Sequence, residues 1–249
     1  MKTSGNTILI TGGATGIGLA LAENFLKNDN KVLICGRREN KLKEAKEKYP
    51  ELDYKVCDAV NIKQREELFG WAVSNHPELN MIINNAGIQH PALIKKGTED
   101  FEKIRDEIAI NFEALIHLCM LFTPHLMKQK DSAIMNVTSG LAFSPISFMP
   151  VYCATKAAVH SFTMSLRHQL KDTSVKVFEL IPPIVDTELD QGERDKRGVT
   201  DRGIKPEAVA VETIEAMKND KFEIAVERAV NIINKSRENP DEFFKMMNR

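Results

Sequence analysis

Short apolar, partly β-branched runs recur along the chain at Thr7–Ile10, Lys31–Cys35, Tyr54–Cys57, Met81–Ile83, Ala133–Val137 and Val175–Leu180. Each has the length of a strand, and their nearly unbroken apolar character suits strands covered on both faces. The stretches between them carry helical spacing. Ile17–Lys27 places Ile17, Leu21 and Phe25 on one stripe, joined by Ala20. Glu39–Lys48 is charged and predicts an exposed helix, while Lys63–Ser74 sets Leu68 and Trp71 at an i, i+3 spacing. Phe101–Met127 and Tyr152–Leu170 are the longest helical stretches, and the first predicts one long helix ending near Pro124. Alternation of this kind predicts an α/β fold, a parallel sheet with helices on both faces.

No Gly/Ser-rich linker or composition break divides the pattern, so residues 1–249 are expected to form a single domain. The stretch Asp186–Gly203 differs, being polar, charged and glycine-containing. It predicts a loop with weak helical content, and residues 186–205 become the candidate substrate or lid loop; an ordinary surface loop has the same composition. The C-terminal segment, residues 226–249, has helical spacing on either side of Pro240. Its Phe243, Phe244, Met246 and Met247 need a partner surface, either a second subunit or the chain's own body.

Composition narrows the classes. Thirty-four basic residues face thirty-five acidic ones, which leaves no global bias toward nucleic acid or an anionic membrane. The four cysteines, Cys35, Cys57, Cys119 and Cys153, include no CxxC pair and suit a reducing compartment. Neither they nor the six histidines show metal-ligand spacing, so no metal is expected. Met1–Asn6 is polar and runs directly into the first strand, with no signal peptide pattern. Ile108–Phe122 is apolar but interrupted by Asn111, Glu113 and His117, which reads as a buried helix and not a membrane span. A cytoplasmic location without membrane insertion is the expectation.

The first strand runs into Thr11-Gly12-Gly13-Ala14-Thr15-Gly16-Ile17-Gly18 and then the helical stripe. Glycines at 12, 16 and 18 permit a tight turn and bring amides toward a pyrophosphate at a helix N-terminus. An ordinary tight β–α turn shares these letters. A P-loop is disfavoured, because Leu19 follows Gly18 where lysine is needed. At the end of the second strand, an NAD-preferring protein commonly offers a carboxylate to the ribose 2′-hydroxyl. Here Gly36 is followed by Arg37 and Arg38. A guanidinium there suits a 2′-phosphate and favours NADP(H) over NAD(H), although an Arg pair also opens many exposed helices.

Tyr152 and Lys156 stand at i and i+4, on one face of a predicted helix. A neighbouring ammonium favours phenolate and makes tyrosine usable as a general acid or base near neutral pH. Such a pair also arises by chance on helix surfaces. Ser139 follows the strand Ala133–Val137, thirteen residues before Tyr152, at the strand end where ligands gather in a parallel sheet. It lacks the GxSxG surroundings of a hydrolase nucleophile. Asn111 lies inside an apolar helix, where an amide needs a hydrogen-bonding reason, structural or functional.

Together these segments resemble the short-chain dehydrogenase/reductase family, single-domain type. The resemblance rests on TGxxxGxG at Thr11–Gly18, NNAG at Asn84–Gly87, Asn111, Ser139 and YxxxK at Tyr152–Lys156, and it extends from about Thr7 to Thr187. Within the family, the segments FTPHLMKQ, VTSGLAF, PVYCATKAAVHSF and LRHQL are similar to those of DltE-type bacterial oxidoreductases. The resemblance implies a Rossmann-like, doubly wound, seven-stranded parallel sheet in a three-layer α/β/α arrangement. It implies that Tyr152 transfers the proton, that Lys156 lowers its pKa and holds the nicotinamide ribose, and that Ser139 orients the substrate oxygen. Asn111 would fix a water linking Lys156 to solvent.

Gly12, Thr15, Gly16, Ile17 and Gly18 would line the pyrophosphate, with Arg37 and Arg38 at the 2′-phosphate. Asp58 and Ala59 would lie near the adenine, and Asn85, Ala86 and Gly87 would line the cofactor by backbone. Pro182, Val185 and Thr187 match the family segment that contacts the nicotinamide carboxamide. Pro183 departs from the family's usual glycine, and its fixed φ and missing amide put the roles of Val185 and Thr187 in question. The implied activity is NADP(H)-dependent reduction of a ketone or aldehyde, or oxidation of the corresponding alcohol, by a homodimer or homotetramer. NAD(H)-linked alcohol oxidation and a non-catalytic nucleotide sensor or scaffold are the alternatives. The substrate pocket is expected from Gln89–Pro91, Leu141–Met149 and the segment after Thr187, with Phe143, Ile146, Phe148 and Met149 as an apolar wall. Cys153 could make activity sensitive to thiol oxidation if accessible, or be a buried inert thiol.

Overall fold

Seven parallel strands form one sheet in the computed structural model, which describes residues 1–189 and 191–248, residues 191 and 193 by backbone only. Asp190 in the candidate loop and Arg249 at the C-terminus lie outside the described residues. The strands are β1 (Thr7–Thr11), β2 (Lys31–Gly36), β3 (Asp53–Val56), β4 (Met81–Asn84), β5 (Ser132–Val137), β6 (Val175–Ile181) and β7 (Glu223–Ala225). Their order is β3-β2-β1-β4-β5-β6-β7. The direction of winding reverses between β1 and β4, and the crevice beyond their C-terminal ends is where such a sheet binds ligands. All six strands expected from the apolar runs are present; β7, only three residues long, is not among them.

The helices are α1 (Gly16–Lys27), α2 (Glu39–Lys48), α3 (Ile62–Asn75), α4 (Phe101–Ile108), α5 (Ala114–Leu126), α6 (Pro150–Gln169), α7 (Gln191–Lys196), α8 (Pro206–Lys218), α9 (Arg228–Glu238) and α10 (Pro240–Met247). Strand alternation divides the interior into two cores. Ile8 and Ile10 of β1 pack with Leu21 and Phe25 of α1 and with Val209 and Met217 of α8. Leu9 faces the opposite side, with Leu68 of α3, Phe122 of α5 and Leu166 of α6. A period-2 strand buried on both faces produces this partition, giving the three-layer arrangement.

The long helix expected over Phe101–Met127 is present with one interruption. A π turn, Ala109–Glu113, joins α4 to α5, with Asn111 at its centre. The helix continues two residues beyond Pro124, whose missing amide falls in the last turn. By length and composition Phe101–Leu126 passes for a membrane span, but Leu115, Leu118, Phe122 and Leu126 are buried against α3 and the sheet. The segment after Thr187 contains α7 and closes at its base, where Val185 pairs with Ile204. Gly203 has φ +80°, and a Cβ there would stand 2.2 Å from the Ile184 carbonyl oxygen. In the C-terminal segment, Asn239 caps α10 by accepting the Glu242 N–H, and Phe243 is buried within the chain. Phe244 and Met246 remain exposed.

Candidate active site

The turn from β1 into α1 is held open by backbone geometry. Gly12 and Gly16 have φ of +63° and +55°, a region other residues avoid. A Cβ on Gly12 would lie 3.0 Å from the Cα of Ala86, and one on Gly16 would lie 3.1 Å from Thr187 Cγ2. The Thr15 side chain makes no capping bond to the first turn of α1. The Thr11 hydroxyl accepts the N–H groups of Asn85 and Ala86, each at 3.0 Å, and Asn85 Nδ2 donates to the carbonyls of Thr11 and Gly12. The glycine turn and the NNAG segment are thereby one rigid unit.

These elements bound a cavity of about 420 Å³. Gly12, Thr15, Gly16 and Ile17 line it from the turn into α1, and Arg37, Arg38, Asp58 and Ala59 line it on the β2–β3 side. Asn85, Ala86 and Gly87 line it after β4, Tyr152, Lys156 and Pro182 on the β5–β6 side, and Thr187 beside Gly16. Arg38 is already engaged: its guanidinium donates to Glu188 Oε2 at 2.9 Å and to Thr15 Oγ1 at 3.1 Å. Arg37 makes no ion pair among the described residues, and it is exposed at the cavity rim. Asp58 Oδ1 accepts the Val60 N–H at 3.1 Å, which fixes its carboxylate in a turn beside the cavity.

Tyr152 and Lys156 lie one turn apart on α6, and both are buried. Lys156 Nζ stands 5.8 Å from the tyrosine ring centre and donates to the Val137 carbonyl at 2.9 Å. Burial pulls its pKa down to about 8, opposed by the charge of Glu107. Ser139 Oγ accepts the Leu141 N–H at 3.1 Å and caps a 3₁₀ turn at Gly140–Ala142. Asn111 makes a two-way clamp on Ile88: its Oδ1 accepts the Ile88 N–H at 2.9 Å, and its Nδ2 donates to the Ile88 carbonyl at 2.8 Å. Nδ2 also donates to Thr155 Oγ1 at 3.2 Å. The asparagine amide is therefore consumed by the backbone next to Gly87 and by α6.

A second cavity, also about 420 Å³, meets the first at Tyr152. Ser139, Pro183 and Val185 line it together with Ile146, Phe148 and Met149. Arg197 of the segment after α7 lies over the Phe148 ring, 4.3 Å from its centre. Met247 and Asn248 contribute from the C-terminus. Asn248 Oδ1 accepts the Ser147 N–H, and its Nδ2 donates to the Pro145 carbonyl at 3.1 Å, so the tail holds the wall loop in place.

Gly18 and Asn111 are set back from the lining of the two cavities. At Gly18 a Cβ would stand 2.3 Å from the Gly12 carbonyl oxygen, so this glycine serves close packing of helix on turn. Phe143 is not part of the apolar wall. It packs against Ile181, Ala225, Ala229 and Ile233 and makes an edge contact with the His160 ring at 4.6 Å. Cys153 is buried with its pKa pushed up by desolvation, which makes it the inert thiol of the two alternatives.

Three acids escaped the sequence reading. Glu188 follows Thr187 and reaches back to Arg38. Glu179 is a charge inside the apolar run of β6, a visible signal, and is fully buried. Both its oxygens lie 2.9 Å from His160 Nδ1, and it accepts the Thr138 hydroxyl at 2.7 Å. The third, Glu107, lies one turn before Asn111 and is fully buried.

Residues 6–198 match the family model of the short chain dehydrogenases. The uncharacterized oxidoreductase DltE of Bacillus subtilis (strain 168) is 52% identical over 248 residues, covering 100% of this chain and 98% of DltE. A tropinone reductase homolog of Datura stramonium is 33% identical over 189 residues, 74% of this chain and 69% of that protein. Solved structures agree in fold. A short-chain dehydrogenase/reductase of Burkholderia phymatum in complex with NAD superposes with a TM-score of 0.88 at 22% identity, covering 97% of this chain and 96% of that one. A short-chain dehydrogenase of Burkholderia cenocepacia in complex with NADP gives 0.85 at 23% identity, covering 99% of both chains.

Proposed function

The chain belongs to the short-chain dehydrogenase/reductase family of oxidoreductases, and on that premise we propose that it transfers hydride reversibly between NADP(H) and a ketone or aldehyde, or the corresponding alcohol. The supporting observation is the junction at Tyr152. One cavity there is lined by the glycine turn, the start of α1 and the NNAG segment, the other has an apolar wall, and this phenol borders both. The first cavity fits the cofactor by its construction. Two positive-φ glycines let the NNAG segment and Thr187 close against the turn, the α1 N-terminus opens into the cavity, and Arg37 and Arg38 supply positive charge at the far end. Arg37 is the group for a 2′-phosphate, with Arg38 joining once it leaves Glu188.

A bound nicotinamide cofactor supplies or accepts the hydride. In the reductive direction Tyr152 Oη donates a proton to the substrate oxygen, and Ser139 Oγ holds that oxygen from the second cavity. Lys156 places an ammonium beside the phenol on the same helix face and presents it to the ribose side of the first cavity. Asn111 holds Ile88 and so keeps Gly87 close to Lys156; a Cβ on Gly87 would stand 3.6 Å from Nζ. Val185 shapes the second cavity, and Thr187 borders both. The apolar wall favours a neutral, partly hydrophobic carbonyl compound. The same proposal takes the chain as one cytoplasmic domain, paired through the faces of α5 and α6 that expose Met120 and Met164. A panel of carbonyls and alcohols read by NADPH absorbance tests it. Turnover that Tyr152→Phe abolishes is the expected result; no hydride transfer across the panel despite NADPH binding would leave a nucleotide sensor in its place.

A further inference from the structure

Glu107 is ionisable, buried and unused by the reaction described above. It lies on α4, one helical turn before Asn111, with no exposed surface. Its Oε2 accepts the His90 N–H at 3.0 Å, while its Oε1 has no hydrogen-bond partner. A half-satisfied buried carboxyl carries a desolvation cost that an apolar side chain of similar shape avoids. Packing alone therefore does not account for an acid here.

The groups that face it do. Helix α4 packs against α6, which carries the titratable groups Tyr152, Cys153 and Lys156 in adjacent turns, and the Glu107 charge acts on Lys156 and Cys153. The loop after β4 presents His90 by its backbone, and on α4 itself the exposed Lys103 and Arg105 are paired with Asp100 and Glu102. Lys156 is the buried cation in this set; its ammonium donates to the Val137 carbonyl, and the Glu107 charge acts on it through space. The segment Gly87–His90 spans the two: Gly87 borders Lys156 Nζ, and His90 bonds Glu107.

We infer that Glu107 is a positioning residue for Lys156, an internal counter-charge that keeps the ε-ammonium protonated over the pH range in which the Tyr152–Lys156 pair works. The role assigned to Lys156 rests on the proposed oxidoreductase function, but the counter-charge itself is a property of the free protein. Desolvation pulls Lys156 down to about 8 and pushes Glu107 up to about 7, and each charge opposes the shift of the other. With the carboxylate removed, desolvation acts on Lys156 unopposed, and the amine loses its proton at lower pH.

Competitive labelling of the intact chain with trace acetic anhydride, from about pH 6 to about pH 11, measures the Lys156 midpoint by mass spectrometry without any substrate. In Glu107→Gln, which still accepts from His90, the midpoint is expected to fall by about half a unit to one unit. Glu107→Leu, which needs no hydrogen bond, should show the same fall, and Glu107→Asp should recover most of it. The exposed Lys218 serves as the internal reference and stays unchanged. A Lys156 midpoint that does not move in whichever of the Gln and Leu variants retains the wild-type circular dichroism overturns the inference. Since no turnover is measured, that outcome is distinct from failure of the oxidoreductase proposal, which the substrate panel decides.

Discussion

The two cavities that meet at Tyr152 have equal volumes, about 420 Å³, but are made of different material. The first is framed by strand ends, tight turns and the start of a helix, brought together by glycines whose missing Cβ lets neighbouring segments approach closely. The second draws its lining from segments far apart in sequence, among them the stretch after β5, the excursion around α7, Ile232 of α9 and the C-terminal residues Met247 and Asn248. Backbone recognition is determined by covalent geometry within a short stretch of chain. Side-chain recognition depends on long-range contacts that hold loops together, such as the bonds from Asn248 to residues 145 and 147.

Mutations at the junction and in each cavity test how separable they are. Tyr152→Phe should lower kcat at least about a hundredfold and leave NADPH affinity by fluorescence titration within about twofold; a parallel loss of affinity would mean that the two cavities are not independent. Arg37→Asp acts on the first cavity alone. It should reduce the NADPH-over-NADH preference in kcat/KM by about tenfold to a hundredfold, the worth of a charge-assisted contact exchanged for repulsion. An unchanged ratio would remove the basis for NADP(H). Phe148→Ala acts on the second cavity, removing an apolar wall and the seat of Arg197. KM for the carbonyl substrate should rise about tenfold with cofactor affinity unaltered. The smallest effect is expected from Glu188→Gln. Releasing Arg38 from an exposed ion pair should raise NADPH affinity about two- to threefold, an increase that 0.5 M salt abolishes.

The sequence pattern reached the first cavity further than the second. Gly12 and Gly16 were legible because a helix that must start immediately after a strand needs positive φ, and glycine meets that need locally. Tyr152 and Lys156 were legible because i, i+4 spacing on a helix places two side chains on one face. Gly18 and Asn111 stand out in the sequence by residue type, while the partners they meet are set by the tertiary structure. One is a packing contact against Gly12, and the other a clamp on Ile88 across the site. Phe143 was misplaced because apolar character does not say toward which neighbour a side chain turns after a 3₁₀ turn. Helix α8 went unread although Val209, Thr213 and Met217 recur at four-residue steps and are all buried.

The sequence alone determined what repeats at short range. Strand and helix periodicities set the α/β class, and one glycine turn followed by two arginines pointed to an anionic dinucleotide. The YxxxK spacing joined the phenol to its ammonium. Only the tertiary structure decided which distant groups meet. It brought Glu188 onto Arg38, Asn248 onto the wall of the second cavity, and the buried Glu107 into the neighbourhood of Lys156. Desolvation and charge pairing depend on separation in space, and separation along the chain carries almost none of that information until the sheet has brought its strand ends together.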